Sequence, residues 1–425
     1  MEKEMIVIVG AGIAGLVAAR KLSSEYEVVV LESTNRIGGR CYGYQDTRFS
    51  NMLEGGAEFI HGESPETFNL LKEAGLETEK VEGKMMRKEG QELKEDNNMD
   101  DGWDGLMEKM RAPLADTTLS KFFSNEYAGE EHAALRQQVI AFAEGFDLAD
   151  PAKVSIKSLY REWNSNDEQY RIKGGYSALI KWLLKKCVDS GVTVITEAVV
   201  EKISWMNHKV NIHVRNRNTF TASKCLITVP LGILSEKKIS FEPELNEYGE
   251  AFNSIGFGQV IKFVFEFKEA FWPQDAGFIF SNETIPTWWT QLPDQSKLLT
   301  GWIGGPLAKE IASKPDEVLV EKAVYALASI FNKRPEKIRE DVKASKVFNW
   351  INDPSFLGGY SYATPSTAEA LEILNNPVNN TLYFAGEAYH TGEHPGTVEA
   401  AIENALQQAG KILSATPNKP VQEMD

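Results

Sequence analysis

The sequence predicts an α/β fold in which a parallel-sheet domain, assembled from separate stretches of chain, is joined to a second domain of mixed sheet plus helices. Three observations predict it. Met5 to Val9 is a short apolar run that feeds a glycine turn and then helical spacing. Val260 to Phe267 (V-I-K-F-V-F-E-F) alternates and opens a β-rich, aromatic stretch running to about Trp350. Leu382 to Ala385 returns to a buried-strand pattern, and Thr397 to Leu413 follows with the spacing of a long helix.

The first element is the most specific. In Gly10-Ala11-Gly12-Ile13-Ala14-Gly15, Gly10 permits a tight turn, Gly12 lets backbone approach a pyrophosphate, and Gly15 lets the helix close on the strand. The helix N-terminus then offers free N–H groups and partial positive charge to an anion. Val28 to Leu31 reads as the next strand and ends on Glu32, about 20 residues after the second glycine, where a carboxylate hydrogen-bonds a ribose hydroxyl. This is a Rossmann-like dinucleotide unit. Its glycines alone leave NAD and FAD both open.

Arg36-Ile37-Gly38-Gly39-Arg40 comes next, pairing planar donors suited to phosphate with glycines that let backbone pass close to a ligand. Glu54 to Gly62 (E-G-G-A-E-F-I-H-G) is a second glycine-rich segment, holding two acids and His61 ahead of a helix from Pro65 to Ala74. Residues 76–104 are charged and broken by glycines, which predicts a short hairpin and an exposed loop. Residues 104–162 have helical spacing and read as an inserted helical subdomain. Lys173-Gly174-Gly175-Tyr176 precedes an amphipathic helix from Ser177 to Ser190. Strands at Val192–Ile195, Val199–Trp205, Val210–Val214 and Cys225–Val229 are expected to form a meander closed by Pro230-Leu231-Gly232. At the C-terminal end, Ala400, Ala401, Ala405 and Ala409 allow close helix packing, so this end is expected to complete the first domain.

Composition bounds the partners. The 425 residues carry a formal net charge of −16, which argues against nucleic acid or an anionic membrane surface. Three cysteines without CxxC spacing give neither a disulfide framework nor a zinc site, and they suit a reducing, cytoplasmic compartment. The first strand starts too soon after Met1 for a signal peptide, and no run approaches the roughly 18 apolar residues that span a bilayer. His390 and His394 flank Glu393 at i, i+4, but Gly392 and Pro395 make a helix improbable there, so no metal site is expected. Monomer and homodimer stay open.

Taken together, the motifs resemble the flavin-dependent amine oxidases, which include monoamine oxidases, polyamine oxidases and lysine-specific histone demethylases. The likeness spans nearly the whole chain. It rests on the dinucleotide turn with Glu32, R-I-G-G-R at 36–40, G-G-A-E-F-I-H-G at 55–62, K-G-G-Y at 173–176 and T-V-P-L-G-I-L at 228–234. It continues through G-F-G-Q-V-I-K at 256–262 with Phe271-Trp272, G-G-Y at 358–360, F-A-G-E at 384–387 and P-G-T-V-E-A-A at 395–401. The resemblance implies a GR2-type flavoprotein in which residues 1–76, 173–232 and 378–415 bind FAD, while 77–172 and 233–377 bind substrate. It places Gly10, Gly12, Ala14, Gly15, Glu32 and Ser33 around the adenosine and phosphates, with Gly39 and Arg40 on the pyrophosphate and Val199 on the adenine. Gly56, Ala57 and Glu58 come beside the isoalloxazine, Gly386 and Glu387 near the ribityl chain, and Thr397 and Val398 at a helix N-terminus facing the flavin. Two positions depart from the pattern. Thr34 stands where many relatives carry a basic residue, and Gly359 stands where monoamine oxidases have the cysteine that joins the flavin, so FAD is expected to be non-covalent.

Lys262 lies in an otherwise apolar alternating strand, expected to share a face with Val260 and Val264. Burying a lysine there is costly without a partner, and a snorkelling lysine on an edge strand is the commoner case. The resemblance assigns it to the lysine that holds a water against flavin N5. It likewise makes Tyr360 one wall of an aromatic slot and puts Thr397 where monoamine oxidases place a second tyrosine. Thr397 and His61 look more like polyamine oxidases, and the demethylases carry extra domains that this chain is too short to hold. The implied substrate is therefore a polyamine or other alkylamine, with O2 as the oxidant and Glu58 as a candidate for a distal ammonium. An L-amino-acid oxidase, a flavin desaturase or protoporphyrinogen oxidase, and an inactive flavoprotein scaffold are the alternatives.

Overall fold

The structure is a computed structural model that describes residues 3–96, 102–111, 115–164, 168–392 and 394–415. Glu393 and the polar tail beyond residue 415 lie outside the described residues.

A five-stranded parallel sheet forms the base, in the order Thr193–Ile195, Glu27–Leu31, Met5–Val9, Lys224–Ile227, Leu382–Phe384. Both faces are covered, which is why these strands read as unbroken apolar runs. Ile6, Ile8, Val28, Val30 and Leu226 face one core, with helices Ile13–Leu22, Tyr176–Asp189 and Val398–Ser414. Val7, Val9, Val29, Cys225 and Ile227 face the other. The predicted helices at Pro65–Ala74 and near 398–414 are present, and Ala400, Ala401, Ala405 and Ala409 are buried as expected.

The expected meander needs correction. Thr193–Ile195 and Lys224–Ile227 leave it for the parallel sheet, while Val200–Met206, Lys209–Val214 and Phe220–Ala222 stay together and gain Ser240–Glu242 as a parallel neighbour. Short spacing suggested hairpins, but the strands at both ends are apolar on both faces and belong between two cores. This smaller sheet and the helices Asn246–Ser254 and Thr367–Leu374 pack on the second face of the parallel sheet.

The β-rich region is one seven-stranded mixed sheet, ordered Val342–Asn349, Val260–Phe267, Leu298–Gly304, Thr287–Trp289, Ala276–Phe280, Lys84–Glu89, Glu92–Glu95. The predicted charged hairpin therefore extends this sheet, with Lys84–Glu89 running parallel to Ala276–Phe280. Val260–Phe267 is hydrogen-bonded on both sides. Its odd positions Ile261, Phe263 and Phe265 face a core backed by helix Asp316–Ile330, and Val260 and Val264 face the opposite way, toward Trp350 and Tyr360. The helical insert comprises Trp103–Arg111, Leu119–Glu126, Ala133–Gly145 and Ile156–Trp163 around its own core. It returns through Gln169–Ile172, which pairs with Ile60–His61 and so brings the insert to the second glycine-rich segment.

One contact ties the chain's ends together. The Glu399 carboxylate accepts hydrogen bonds from the N–H groups of Glu66 and Thr67, both at 2.8 Å, capping helix Pro65–Ala74 from more than 330 residues away.

Candidate active site

The glycine turn is built as its residues require. A Cβ on Gly15 would lie 2.0 Å from the Gly10 carbonyl oxygen, so helix and turn approach that closely only with glycine. Gly12 is the N-cap of helix Ile13–Leu22 and supplies no side-chain cap, leaving the helix N–H groups for an anion. Glu32 is buried, its Oε2 accepting from Ala11 N at 2.9 Å and its Oε1 from Thr34 N at 2.9 Å and Thr34 Oγ1 at 2.8 Å. The Ser33 hydroxyl also donates to Oε1 at 3.3 Å, so Oε1 carries three of these bonds and Oε2 only one, and Oε2 keeps a lone pair for a ribose hydroxyl. Thr34, the departure from the family pattern, serves here to fix that carboxylate.

A single cavity of about 1480 Å³ runs from this turn to the central strand of the mixed sheet. Ligand pockets are usually about 300–1,000 Å³, so it has space for a dinucleotide and a substrate together. Gly10, Gly12, Ala14, Glu32, Ser33 and Val199 line its first part, and Gly39, Arg40, Gly386 and Glu387 its middle. Gly56, Ala57, Glu58, His61, Lys262, Tyr360, Thr397 and Val398 line the remainder. Among the predicted site residues, Gly15 alone is not on the wall; it acts beneath the turn. Arg40 Nη1 donates to Glu387 Oε1 at 2.7 Å and to the Gly359 carbonyl at 2.6 Å, joining pieces that are 347 residues apart. A Cβ on Gly56 would meet the Arg40 carbonyl oxygen at 1.9 Å, so this second glycine segment hugs the first. Backbone cradle, unclaimed helix N-terminus and acidic ribose partner fit a flavin dinucleotide.

Lys262 is 1% exposed and sits on a central strand, which removes the snorkelling alternative. Its Nζ donates to Glu58 Oε2 at 2.8 Å and to the Gly56 carbonyl at 3.2 Å, and it lies 5.4 Å from the Trp289 ring centroid. Glu58 Oε1 accepts from Trp289 Nε1 at 3.0 Å and from Arg171 Nε at 3.1 Å. Burial would raise this carboxyl, but Lys262 and Arg171 overcome it and hold Glu58 at about 2. Glu58 thus spends its oxygens on the protein, which corrects the expectation that it captures a distal ammonium. Arg171 was not anticipated: its signal was a lone cation in Q-Y-R-I, a few residues before K-G-G-Y. Its Nη1 and Nη2 donate to the carbonyls of Leu292 at 2.9 Å and Thr290 at 3.0 Å.

Behind this network, burial pushes Glu54 up to about 8 against the pull of Lys262, with the Glu58 charge adding to the rise. A carboxyl that folds with a raised pKa contributes its full stability below the unfolded value of 4.5 and loses it as pH climbs toward about 8. Glu54→Gln is therefore expected to flatten the decline of stability across that window. Urea midpoints measured at about pH 5 and about pH 9 check it, and equal pH slopes in wild type and variant would exclude it.

Tyr360 faces the cavity beside Trp302, with centroids 6.5 Å apart and planes at 23°. Trp302 is the cross-strand partner of Lys262. Both rings are anchored at the end of helix Ala133–Gly145, Trp302 Nε1 on the Gly145 carbonyl at 2.7 Å and the Tyr360 hydroxyl on the Phe146 carbonyl. Trp302 lies in the aromatic β-rich stretch without a signal of its own, and its role comes from register. Thr397 lines the cavity at the expected helix N-terminus, as the N-cap of helix Val398–Ser414, its hydroxyl accepting from Ala400 N at 3.1 Å and donating to the His394 carbonyl at 2.9 Å. His61 lies edge-on to Phe59 at 6.2 Å and Phe146 at 6.0 Å. Among the described residues no cluster of three or more metal-ligating side chains occurs, and no helix is long and apolar enough to cross a membrane.

Comparison with known proteins agrees with this geometry. Lysine-specific histone demethylase 2 of Homo sapiens is 27% identical over 450 residues, covering 96% of this chain and 53% of that protein. Polyamine oxidase 2 of Arabidopsis thaliana is 26% identical over 441 residues, covering 95% of this chain and 87% of that protein. Against the demethylases of this kind, the chain spans between 30% and 57% of their length. Cyclohexylamine oxidase from Brevibacterium oxydans IH-35A shares the fold, with a TM-score of 0.81 at 20% identity, covering 97% of this chain and 99% of that one. The family model for flavin containing amine oxidoreductases matches residues 13–413, and the chain belongs to that family.

Proposed function

We propose that this chain oxidises a small alkylamine or polyamine, using non-covalent FAD and O2. FAD is the cofactor, and when bound it supplies a hydride acceptor at N5 for the carbon beside the amine nitrogen and passes the electrons to O2 as peroxide. The imine left behind hydrolyses to an aldehyde and an amine. The observation that carries the reading is Lys262: a buried lysine on a central strand, held by Glu58 and Gly56 where the dinucleotide cradle meets the aromatic pair. By the family likeness, this lysine would hold a water at the face of the bound cofactor. Tyr360 and Trp302 orient the amine and exclude solvent. Two cations, Lys262 and Arg171, stand against Glu58, and burial raises the pKa of Glu54, which disfavours a protonated amine and selects the neutral form.

Residues 1–76, 173–232 and 378–415 are read as the cofactor unit, and 77–172 with 233–377 as the substrate unit. Gly359 leaves no thiol at the family's attachment point, and burial pushes the cavity-lining Cys41 up to about 12, away from its reactive thiolate. Three buried free thiols suit a reducing, cytoplasmic setting. The amino-acid oxidase reading needs an arginine for a substrate carboxylate, and Arg171 is already committed to Glu58, Leu292 and Thr290.

Anaerobic mixing of the purified protein with alkylamines, polyamines, aromatic monoamines and amino acids tests the proposal. Bleaching of the oxidised flavin band is expected with alkylamines or polyamines, and acid precipitation of the same sample should release the chromophore. Bleaching by amino acids alone, or by nothing offered, would sink it.

A further inference from the structure

We propose that Leu148 is a positioning residue for the amine-oxidising site: its side chain keys the helical insert into the wall that carries Tyr360 and Trp302, and so fixes where those rings stand. This rests on the amine-oxidising reading above and deepens it with a residue behind the cavity wall. Leu148 lies just past helix Ala133–Gly145 and is 1% exposed, with φ at +54°. Leucine rarely adopts that left-handed backbone, which persists only where the surroundings over-determine it. Three glycines do so here. A Cβ added at Gly258, Gly304 or Gly359 would come within 2.6 Å of a Leu148 side-chain carbon, so three separate stretches of chain lack a side chain where this one enters.

Each stretch leads directly to the site. Gly258 precedes the strand that carries Lys262, Gly304 ends the strand that carries Trp302, and Gly359 is joined to Tyr360. Gly359 N donates to the Gly258 carbonyl at 2.8 Å and Gly258 N to the Tyr360 carbonyl at 2.7 Å, so two walls of the socket are tied to each other. The same corner holds the ring ends: the Gly145 carbonyl accepts from Trp302 Nε1, and the Phe146 carbonyl from the Tyr360 hydroxyl. Those bonds fix the outer ends of the rings, and Leu148 fixes the backbone from which they project. Interiors are packed densely enough to transmit strain, so a void at Leu148 lets the Gly359–Tyr360 backbone shift. A misplacement of about 1 Å can cost roughly 10² in rate.

The test compares Leu148→Ala with Leu327→Ala, a fully buried leucine in the core on the other face of the mixed sheet. Both lose the same atoms, and only the first borders the site. The FAD-loaded proteins are labelled with 5-fluorotryptophan, and the Trp302 fluorine resonance is assigned by its absence from Trp302→Phe. In Leu148→Ala that resonance is expected to shift or broaden, and the limiting rate of anaerobic flavin reduction by an alkylamine to fall about tenfold or more. Leu327→Ala should leave both as in wild type, and Leu148→Met, which keeps the volume, should restore both. Should Leu148→Ala fail to fold, Gly359→Ala presses on the same contact from the opposite side and is expected to move the resonance in its place. A resonance unmoved by the change at the socket, or moved alike by Leu327→Ala, overturns the positioning role. Failure of every amine to bleach the wild-type flavin overturns the oxidase reading instead, and the fluorine resonance still decides Leu148 on its own.

Discussion

Glu58→Ala is expected to lower folding stability by about 3–5 kcal/mol, the penalty for removing one partner from a buried ion network. Its carboxylate is the common acceptor for Lys262, Arg171 and Trp289, and all three are buried. Urea denaturation of the variant against wild type measures the loss. Glu58→Gln, which keeps an oxygen for one cation and restores volume, should fall between the two. A loss below about 1 kcal/mol for the alanine variant would mean the network is relaxed by water, and the argument from it would fail.

Lys262→Met is expected to have the largest effect on turnover. Methionine matches the lysine stem, and Arg171 remains to balance Glu58, so the fold should survive. What disappears is the Nζ donor at the point where the cradle meets Tyr360 and Trp302. Loss of a positioned proton-handling group costs roughly 10²–10⁴ in rate, and here it should fall on kcat with little change in KM. Stopped-flow measurement of flavin reduction and reoxidation would locate it. A change below about tenfold in both half-reactions would remove Lys262 from the mechanism.

Those two residues were not equally visible in the sequence. Lys262 stood out because a charge interrupts an apolar alternation, and period-2 patterning alone put it opposite Ile261 and Phe263. The glycine turn with Glu32 was legible because each glycine answers a steric demand that no other residue meets. Glu58 was noticed but misread, since nothing local announces that Arg171, 113 residues on, closes on it. Trp302 was hidden for the same reason: cross-strand register sets it beside Lys262, and that is not a property of neighbouring residues. The place of Thr397 at a helix N-terminus was legible, while the hydrogen bond of its hydroxyl to the first turn of that helix came from the fold. The strands at 193–195 and 224–227 were placed in the wrong sheet because spacing predicts hairpins, whereas their apolar side chains pack toward the cores on both faces of the parallel sheet.

The cap that Glu399 places on helix Pro65–Ala74 bears on the order of assembly. During synthesis the first strand and glycine turn emerge long before the fifth strand of their sheet, the helix that covers them and this carboxylate. Contacts of such long sequence separation carry the greatest loop-closure cost and form late. The nascent chain must therefore hold an exposed apolar sheet until Leu382–Phe384 and Val398–Ser414 arrive, a state in which unpaired strand edges invite aggregation. Cofactor retention and completion of the fold are, in this chain, the same late event.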